Sequence, residues 1–285
     1  MPQRTRRRFD DDDFLPAPPS SHDQPIEADD DDPEPGWSTY ADSAHGPLPA
    51  PSWVITSAAA VDDDLGVFKT GKEADVSLLR RTHGEASTLM AVKRYRDAHH
   101  RLFHRDSGYL EGRRVRKSRE MRAIETRTAF GRDIIAQQWA IAEFSMLGTL
   151  WVAGAAVPYP VQLHGNELMM EFIGGNDGVA APRLAQLRPT HREAADLYGQ
   201  LRAVLLCLAE AGYTHGDLSA YNILVDDGRL VLIDVPQAVD LVGNPQGFEY
   251  LSRDCTNVCS WFAARGVDAD PGELRRWLQR SVPQH

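Results

Sequence analysis

The stretch that most constrains the fold runs from residue 215 to 237 and reads HGDLSAYNILVDDGRLVLIDVPQ. Two short apolar runs, Ile223–Val225 and Leu230–Ile233, flank an Asp-Gly dipeptide, which is typical of a tight β-hairpin turn. The hairpin would bring Asn222, at the entrance of the first strand, close to Asp234, at the exit of the second. The sequence therefore predicts an amide and a carboxylate side by side at one end of a hairpin.

A third oxygen-bearing side chain precedes the hairpin. Asp217 lies five residues before Asn222, in the spacing D-x-x-x-x-N. Carboxylate and amide oxygens suit Mg²⁺ held together with substrate phosphates, so Asn222 and Asp234 are candidate metal ligands. A carboxylate left free, such as Asp217, can accept a proton from a hydroxyl group. Each residue alone is typical of turn chemistry, but together they match the catalytic and metal-binding segments of protein kinases.

Such a site also needs a cation for the phosphates and an anion to hold that cation. The segment MAVKRY places Lys93 on a predicted strand, 88–95, whose alternation buries the aliphatic stem of the lysine. Glu143 lies on or beside the apolar stripe of a predicted helix, 133–148, where an unpaired carboxylate is costly. We therefore predict a Lys93–Glu143 ion pair. A Glu143 at the helix edge that reaches solvent is the alternative.

Strands precede helices along the chain, which predicts an α+β fold with two lobes. A strand within residues 68–81 forms a hairpin with 88–95, and a buried strand ends at a Gly-Gly hinge, 174–175. The later helices are expected at 191–212, 247–262 and 271–280. The stripe predicted for the first helix is Ile135, Trp139, Ala142 and Met146, and that for the second is Leu197, Leu201, Val204, Leu205 and Leu208.

A phosphate-loop pattern, G-x-x-x-x-G-K, runs from Gly66 to Lys72, but Glu73 follows where Ser or Thr is required. The next residues favour a strand rather than the helix of a P-loop. The segment is still predicted to be a turn whose backbone N–H groups cap phosphates, with Lys72 as a candidate nucleotide contact.

Charge divides the chain unevenly. Residues 1–36 hold 4 Arg and 11 Asp or Glu, so 1–52 is predicted to be a disordered acidic, proline-rich tail, with docking or autoinhibition as an alternative role. Residues 93–122 hold 11 Lys or Arg against 4 Asp or Glu. This basic tract is predicted to be either a solvated loop or a contact for RNA or a ribosomal particle, with Phe103 and Tyr109 stacking on bases.

The three cysteines are too few for a disulfide framework and fit a reducing compartment. Cys255 and Cys259 are predicted to be buried thiols rather than zinc ligands. No apolar run is long enough to span a membrane, and the basic start lacks the apolar stretch of an export signal. The expectation is a cytoplasmic protein without membrane contact.

Five segments, KTGKEADV, MAVKRYR, MEFIGG, HGDLSAYNIL and LIDVPQAV, stand in the order seen in the RIO family of atypical serine/threonine protein kinases. The resemblance is to the subfamily with STGKEA and IDxSQ motifs and covers about residues 66–270. It implies a small β-rich N-lobe at about 53–170, a hinge at 171–175, and a reduced helical C-lobe at about 176–285. It also implies that the activation loop and the substrate lobe of ordinary kinases are missing.

The resemblance implies phosphoryl transfer from ATP with Mg²⁺ or Mn²⁺ to protein Ser or Thr, together with ATPase activity. It assigns catalysis to Asp217 and Asp234, with Asp234 able to form an aspartyl phosphate, and metal binding to Asn222 and Asp234. The alternatives are a small-molecule phosphotransferase of the aminoglycoside or choline kinase type, and a nucleotide-gated binding module associated with ribosomes or RNA. Nucleotide contacts are assigned to Lys93, Glu143, Glu171, Phe172 and Ile173, with Lys72 added from the turn.

Overall fold

The structure, a computed structural model, describes residues 36–71, 73–96, 129–236 and 238–283, and only the backbone of 129–134. The described chain is α+β, as predicted, with a sheet region (residues 36–171) followed by a largely helical region (residues 172–283). Within the described ranges, no helix combines the length and apolar character needed to cross a membrane.

A seven-stranded antiparallel sheet forms the first region. Its strands are β1 (Gly36–Trp37), β2 (Ala44–His45), β3 (Val61–Thr70), β4 (Ala74–His83), β5 (Ala86–Tyr95), β6 (Pro160–His164) and β7 (Glu167–Glu171). They lie in the order β1-β3-β4-β5-β7-β6-β2. The predicted hairpin is β4–β5. Strand β3 was not predicted, because its acidic start, VDDDLG, lacks an apolar alternation.

Residues 36–52, which the sequence analysis assigned to the acidic tail, belong to the folded sheet region. Strands β1 and β2 pair with β3 and β6, and Tyr40 is 8% exposed. Tyr40 packs in a cluster with Met90, Tyr159 and the partly buried Trp53. Aromatic side chains bury large apolar areas, which explains why a proline-rich segment folds here. The tail remains a prediction for residues 1–35, which lie outside the described residues.

The long helix α1 (Ala129–Val152) packs against the sheet through a different face from the predicted one. Ala136, Ala140, Glu143 and Leu147 are buried, whereas Ile135, Trp139 and Met146 are only half-buried. The predicted stripe is thus offset by one residue, although its Ala142 is buried. The helix is apolar on nearly every side, so apolar residues alone do not fix its orientation, and the small alanines allow close approach to the sheet.

The helices of the second region lie close to where the sequence predicts them. The predicted stripe of α2 is buried at every position. The α2 helix begins with a capping box, in which the Glu193 carboxylate accepts a hydrogen bond from the Thr190 N–H at 2.8 Å. Cys255 and Cys259 are free buried thiols, and burial raises the pKa of Cys255 to about 12. The helices are α2 (His191–Glu210), α3 (Gly247–Ala263) and α4 (Pro271–Ser281).

Two short hairpins complete the helical region. Strands β9 (Ile223–Asp226) and β10 (Arg229–Leu232) pair antiparallel, with Asp226 opposite Arg229. Asp227 and Gly228 have φ of 46° and 77°, the positive values that a type I′ turn requires. The predicted hairpin is confirmed. Strands β8 (Tyr213–Thr214) and β11 (Val239–Asp240) form the second pair and hold the ends of the segment between them together.

Candidate active site

A cleft of about 640 Å³ lies between the sheet and the helical region. Strands β3, β4, β5 and β7 line one side, and residues 180–183, Leu224 of β9 and the two residues after β10 line the other. Most lining side chains are apolar, and Lys69, Lys93, Glu143 and Asp234 form a charged end. A largely apolar cleft with a few convergent polar groups is the usual form of a small-molecule site.

Lys93 occupies the centre of this charged end. Its Nζ lies 2.9 Å from Glu143 Oε2 and 2.7 Å from Asp234 Oδ1, and its side chain is 11% exposed. Burial alone would lower the pKa of Lys93, but the two carboxylates raise it above the ordinary lysine value. The structure thus brings together the predicted Lys93–Glu143 pair and adds Asp234 as a second partner.

Glu143 is held from two sides. Its side chain is 2% exposed, so the alternative of a solvent-reaching carboxylate is wrong. Besides the Lys93 ammonium, the Tyr95 hydroxyl donates a hydrogen bond to Glu143 Oε2. Burial, and then the Glu143 carboxylate, raise the pKa of Tyr95 well above its usual value, so the phenol stays a donor. Alternation along β5 places Lys93 and Tyr95 on one face of the sheet.

Asp234 stands just after β10 and faces the cleft. Its φ of 66° is left-handed, a conformation that costs a non-glycine residue about 1–2 kcal/mol. Burial raises the pKa of Asp234, but the adjacent Lys93 ammonium outweighs that effect and the pKa falls below its ordinary value. The side chain is 40% exposed. Asp234 is therefore an ionised carboxylate whose surface is open to the cleft.

The segment from residue 215 to 222 is held in place by Asp254 on α3, which is 1% exposed. Its Oδ2 accepts hydrogen bonds from Thr214 Oγ1 at 2.8 Å and the Gly216 N–H at 2.7 Å, and its Oδ1 accepts from the Leu218 N–H at 2.9 Å. Asp217 lies between these anchored residues and is exposed. A rigid loop thus presents the Asp217 carboxylate outward.

The same loop is tied to the end of the hairpin. His215 Nε2 lies 3.1 Å from the Ile233 carbonyl, so this nitrogen donates. Asn222 Nδ2 donates to the Asp217 carbonyl at 2.9 Å, and the Ile233 N–H donates to the Asn222 carbonyl at 3.0 Å. The Asn222 backbone therefore lies beside the residue before Asp234, as the hairpin argument predicts.

At the apolar end, the three residues after Met170 line the cleft. Ile173 is 5% exposed, and among the described residues its backbone N–H donates no hydrogen bond. A buried unpaired N–H facing a cleft is a ready donor for a ligand. The Glu171 side chain turns away, where its Oε2 accepts from the Tyr159 N–H at 3.1 Å, and burial raises its pKa. The Phe172 ring meets Phe68 edge-on at 6.0 Å.

The RIO domain family model matches residues 79–274, well over half of the chain. The chain belongs to the RIO family.

Relatives of the RIO family carry kinase names. The RIO-type serine/threonine-protein kinase Rio1 of Haloferax volcanii is 35% identical over 218 residues, which are 76% of this chain and 69% of the relative. The serine/threonine-protein kinase RIO1 of Caenorhabditis elegans is 32% identical over 209 residues, 71% of this chain but 37% of the relative. Human RIO1 is 31% identical over 203 residues, 71% and 34% respectively. The chain thus spans only about a third of these animal relatives.

Kinases in general use ATP together with a divalent metal ion, and the oxygen atoms of this site can be compared with the ligands that such an ion requires. Among the described residues, no three His, Cys, Asp or Glu side chains are grouped as metal ligands. Asn222 and Asp234 offer two hard oxygen ligands, which suits Mg²⁺ because substrate phosphates and water commonly complete its shell. The second oxygen of Asp234 accepts no hydrogen bond from any described residue. The donor set therefore fits Mg²⁺ bound together with phosphates.

Some sequence predictions fall outside this description. Lys72 and residues 97–122 of the basic tract lie outside the described residues. In the described part of the tract, Arg94 pairs with Glu167 and Arg96 with Asp75, both on the surface. Contact with RNA or a ribosomal particle stays a prediction.

Three residues of the site were missed by sequence reasoning. Asp254 could have been found, because it lies beside Leu251, Cys255 and Val258 on the apolar face of α3, where an aspartate needs buried partners. Tyr95 ends the predicted strand that carries Lys93, but its role as a donor to Glu143 was not recognised. Lys69 lines the cleft from β3. Nothing local in the sequence signals its position, because β3 itself was not predicted.

Proposed function

We propose that this RIO-family chain is an ATP- and Mg²⁺-dependent serine/threonine protein kinase that also hydrolyses ATP. The observation that carries the proposal is the sharing of one buried ammonium, Lys93, between Glu143 of α1 and Asp234 of the facing wall. A cation so placed, with Asp217 and Asn222 on the adjoining loop, has the parts that phosphoryl transfer needs for positioning and charge stabilisation.

The two ends of the cleft suit the two ends of a nucleotide. The unpaired N–H of Ile173 would donate to a ring nitrogen of adenine, between the apolar side chains lining that end. The phosphates would then reach the Lys93 ammonium, which Glu143 keeps oriented. Asn222 and Asp234 would hold Mg²⁺, which neutralises charge on the phosphates when bound. As Asp234 turns to that ligand, Lys93 would exchange this carboxylate for phosphate oxygens.

Asp217 would orient the acceptor. Its carboxylate is exposed, and the bonds to Asp254 on either side fix the backbone that carries it. A serine or threonine hydroxyl at this carboxylate would be oriented for attack on the γ-phosphorus and would transfer its proton to Asp217. The bond from the γ-phosphorus to the bridging oxygen would break, and ADP would leave with that electron pair. The described hydrogen bonds that hold this loop come from α3 and from the end of the β9–β10 hairpin.

Asp234 offers a second route. An ionised carboxylate can act as a nucleophile. A carboxylate oxygen of Asp234 would form a bond to the γ-phosphorus, the bond to the bridging oxygen would break, and ADP would leave with that electron pair. Water would then hydrolyse the acyl phosphate and release phosphate. Only residues 235–246 separate Asp234 from α3, a short connection for a platform that presents a peptide.

The test uses the full chain with γ-labelled ATP and Mg²⁺, following label on the protein, on a generic acceptor protein and as free phosphate. Asp217→Ala should abolish transfer to acceptor hydroxyl groups, and Lys93→Met should lose turnover with ATP. Asp227→Asn is the matched control, since this exposed aspartate has a left-handed φ that asparagine tolerates and lies at the far end of the hairpin. The control should keep wild-type turnover.

The same experiment separates the routes. Label that hydroxylamine removes, and that is absent from Asp234→Ala, supports the aspartyl phosphate. If all label on the protein survives hydroxylamine and maps to Ser or Thr, the aspartyl phosphate is ruled out and direct transfer to a hydroxyl group stands. Nucleotide binding without any turnover would contradict both and would favour the nucleotide-gated binding module. The family match already favours the RIO kinase over a small-molecule phosphotransferase.

A further inference from the structure

Strand β3 carries a lysine that the proposed mechanism does not use. In the pairing of β3 with β4, Lys69 lies opposite Val76, and in the pairing of β4 with β5, Val76 lies opposite Lys93. Residues opposite each other in neighbouring strands point to the same face of a sheet. Lys69 therefore faces the cleft beside Lys93, about 10 Å away along the sheet at the usual strand spacing.

Irregular pairing of β3 supports this orientation. The register shifts between Asp64 and Val67 and again between Val67 and Lys69. Such bulges bend a strand and re-aim its side chains. As a result, the consecutive residues Phe68 and Lys69 both line the cleft, which a regular strand would not allow. Phe68 closes against Phe172, and Lys69 extends over the charged end.

The ammonium of Lys69 forms no ion pair with any described residue, unlike that of Lys93. Lys69 is exposed overall, but partial desolvation in the cleft and then the Arg183 guanidinium lower the pKa of Lys69, and Asp234 raises it less. Arg183 also lines the cleft, where its Nη1 donates to the Tyr221 carbonyl next to Asn222. Lys69 and Arg183 thus line the same cleft closely enough for each to feel the other's charge, and bringing like charges together is unfavourable.

We propose that Lys69 is a second phosphate-binding residue, which contacts the polyphosphate of the nucleotide from the β3 side of the cleft and makes the site selective for triphosphate over monophosphate. The proposal rests on the nucleotide site proposed above and deepens it. Lys93 is already held by two carboxylates, so it brings little net positive charge to the phosphates. Lys69 brings a cation that forms no ion pair with a described carboxylate, and a phosphate between Lys69 and Arg183 would relieve their repulsion.

The test measures equilibrium binding of Mg-ATP, Mg-ADP and AMP to the full chain. Lys69→Ser is the informative variant, because serine occupies this position in the STGKEA motif that the segment KTGKEA resembles. A charged hydrogen bond to phosphate predicts a loss of ATP affinity of roughly 10- to 100-fold. The loss of ADP affinity should be smaller, and AMP affinity should stay within about twofold.

Arg94→Ser is the matched control. It removes one positive charge from the same sheet, but Arg94 lies on the opposite face and pairs with Glu167 at the surface. Its effect on ATP affinity should be within about twofold, as expected for an exposed pair screened by solvent. Equal losses in both variants would mean a general charge effect and would overturn the assignment.

A pH titration gives an independent readout. Because the pKa of Lys69 is lowered and phosphate binds the ammonium form, wild-type ATP affinity should fall as pH rises through that lowered value. Lys93 stays charged over the same range, since its pKa is raised. Lys69→Ser should lack this alkaline loss of affinity.

The outcomes separate the two proposals. If wild type binds ATP, Lys93→Met does not, and Lys69→Ser binds like wild type, the proposal for Lys69 is wrong and the proposed function stands. If Lys69→Ser weakens ATP and AMP binding equally, Lys69 does not contact the β- or γ-phosphate, and the proposed selectivity for triphosphate is wrong. If wild type binds no nucleotide, the proposed function fails first.

Discussion

Two buried cations lie on opposite faces of the same sheet, and they are held in different ways. On β4, Arg81 is fully buried and makes two 2.7 Å bonds to the Asp62 carboxylate and one of 2.9 Å to Gln162 Oε1. Gln162 in turn donates to Thr39 Oγ1 at 2.8 Å. All these partners belong to the sheet region, so the Arg81 network is closed and fully satisfied.

On β5, Lys93 is paired across two regions. Glu143 belongs to α1, but Asp234 lies 141 residues further along the chain, and its side chain is 40% exposed, against 11% for Asp62. The Arg81 network is complete without a ligand, whereas Lys93 can exchange its partner Asp234 for a ligand. The difference indicates that the sheet uses one face for its own stability and keeps the other for binding.

The largest expected effect concerns Asp234→Asn. Asparagine keeps the shape and tolerates the left-handed φ, but it removes the charge that would hold the metal or receive the phosphoryl group. ATP turnover should fall by at least about 1000-fold, which corresponds to about 4 kcal/mol in the activation barrier. The melting temperature should change by only a few degrees, since Lys93 keeps Glu143.

Turnover of Asp234→Asn within about tenfold of wild type would contradict this prediction and remove Asp234 from the chemistry.

The same substitution on the other face, Asp62→Asn, should do the reverse. It leaves the fully buried guanidinium of Arg81 without its carboxylate, and breaking a buried pair from one side costs about 3–5 kcal/mol. Denaturant unfolding should show that loss in the free energy of unfolding. Turnover per folded molecule should stay within about twofold, because the cleft lies on the opposite face. If Asp62→Asn loses turnover without losing stability, the division of the sheet into two faces is wrong.

The sequence predicted the features that depend on neighbouring residues. The Asp-Gly turn specified the β9–β10 hairpin, and that hairpin was enough to place Asn222 near Asp234. The apolar stripe of α2 was correct because polar residues bound it clearly. In α1, apolar residues surround the helix, so the buried face depended on how the alanines fit the sheet, and the prediction was offset.

Features that depend on distant partners were not predictable in the same way. The run Asp62–Asp64 was not recognised as part of a strand, because three consecutive acidic residues are typical of a solvated loop. Asp62 is stabilised in the strand by Arg81, which lies opposite it in β4 and 19 residues further along the chain. The second partner of Lys93 and the contacts of Asp254 with the loop likewise join residues far apart in sequence. Such pairs follow from the assembled fold rather than from local spacing.

A smaller effect is expected from a substitution at Tyr95, the residue that holds Glu143 together with Lys93. Tyr95→Phe removes the hydroxyl that donates to this buried carboxylate and leaves one oxygen with fewer partners. The free energy of unfolding should fall by about 1–3 kcal/mol, the cost of an unsatisfied buried group. ATP affinity should change by less than about tenfold, because Lys93 remains to orient Glu143. Thermal unfolding and nucleotide titration would check both; a loss of ATP affinity as large as that of Lys93→Met would show that Tyr95 contributes to binding directly.

The smallest expected effect is the acid dependence of the open pair. The pKa of Asp234 is lowered in the folded state, so its ionised form stabilises the fold at pH values above the ordinary aspartate pKa, and this contribution is lost as pH falls through the lowered value. Since the side chain is 40% exposed, solvent screening should keep the contribution below about 1 kcal/mol. The free energy of unfolding of wild type should therefore exceed that of Asp234→Asn slightly at neutral pH, and the two should converge in acid. Urea unfolding of both proteins from about pH 7 down to about pH 3 would measure the difference. If the difference in the free energy of unfolding stays constant over this range, the Lys93 ammonium does not stabilise the ionised form of Asp234. The contrast between the Arg81 network and the Lys93 pair would then rest on the exposure of their carboxylates alone.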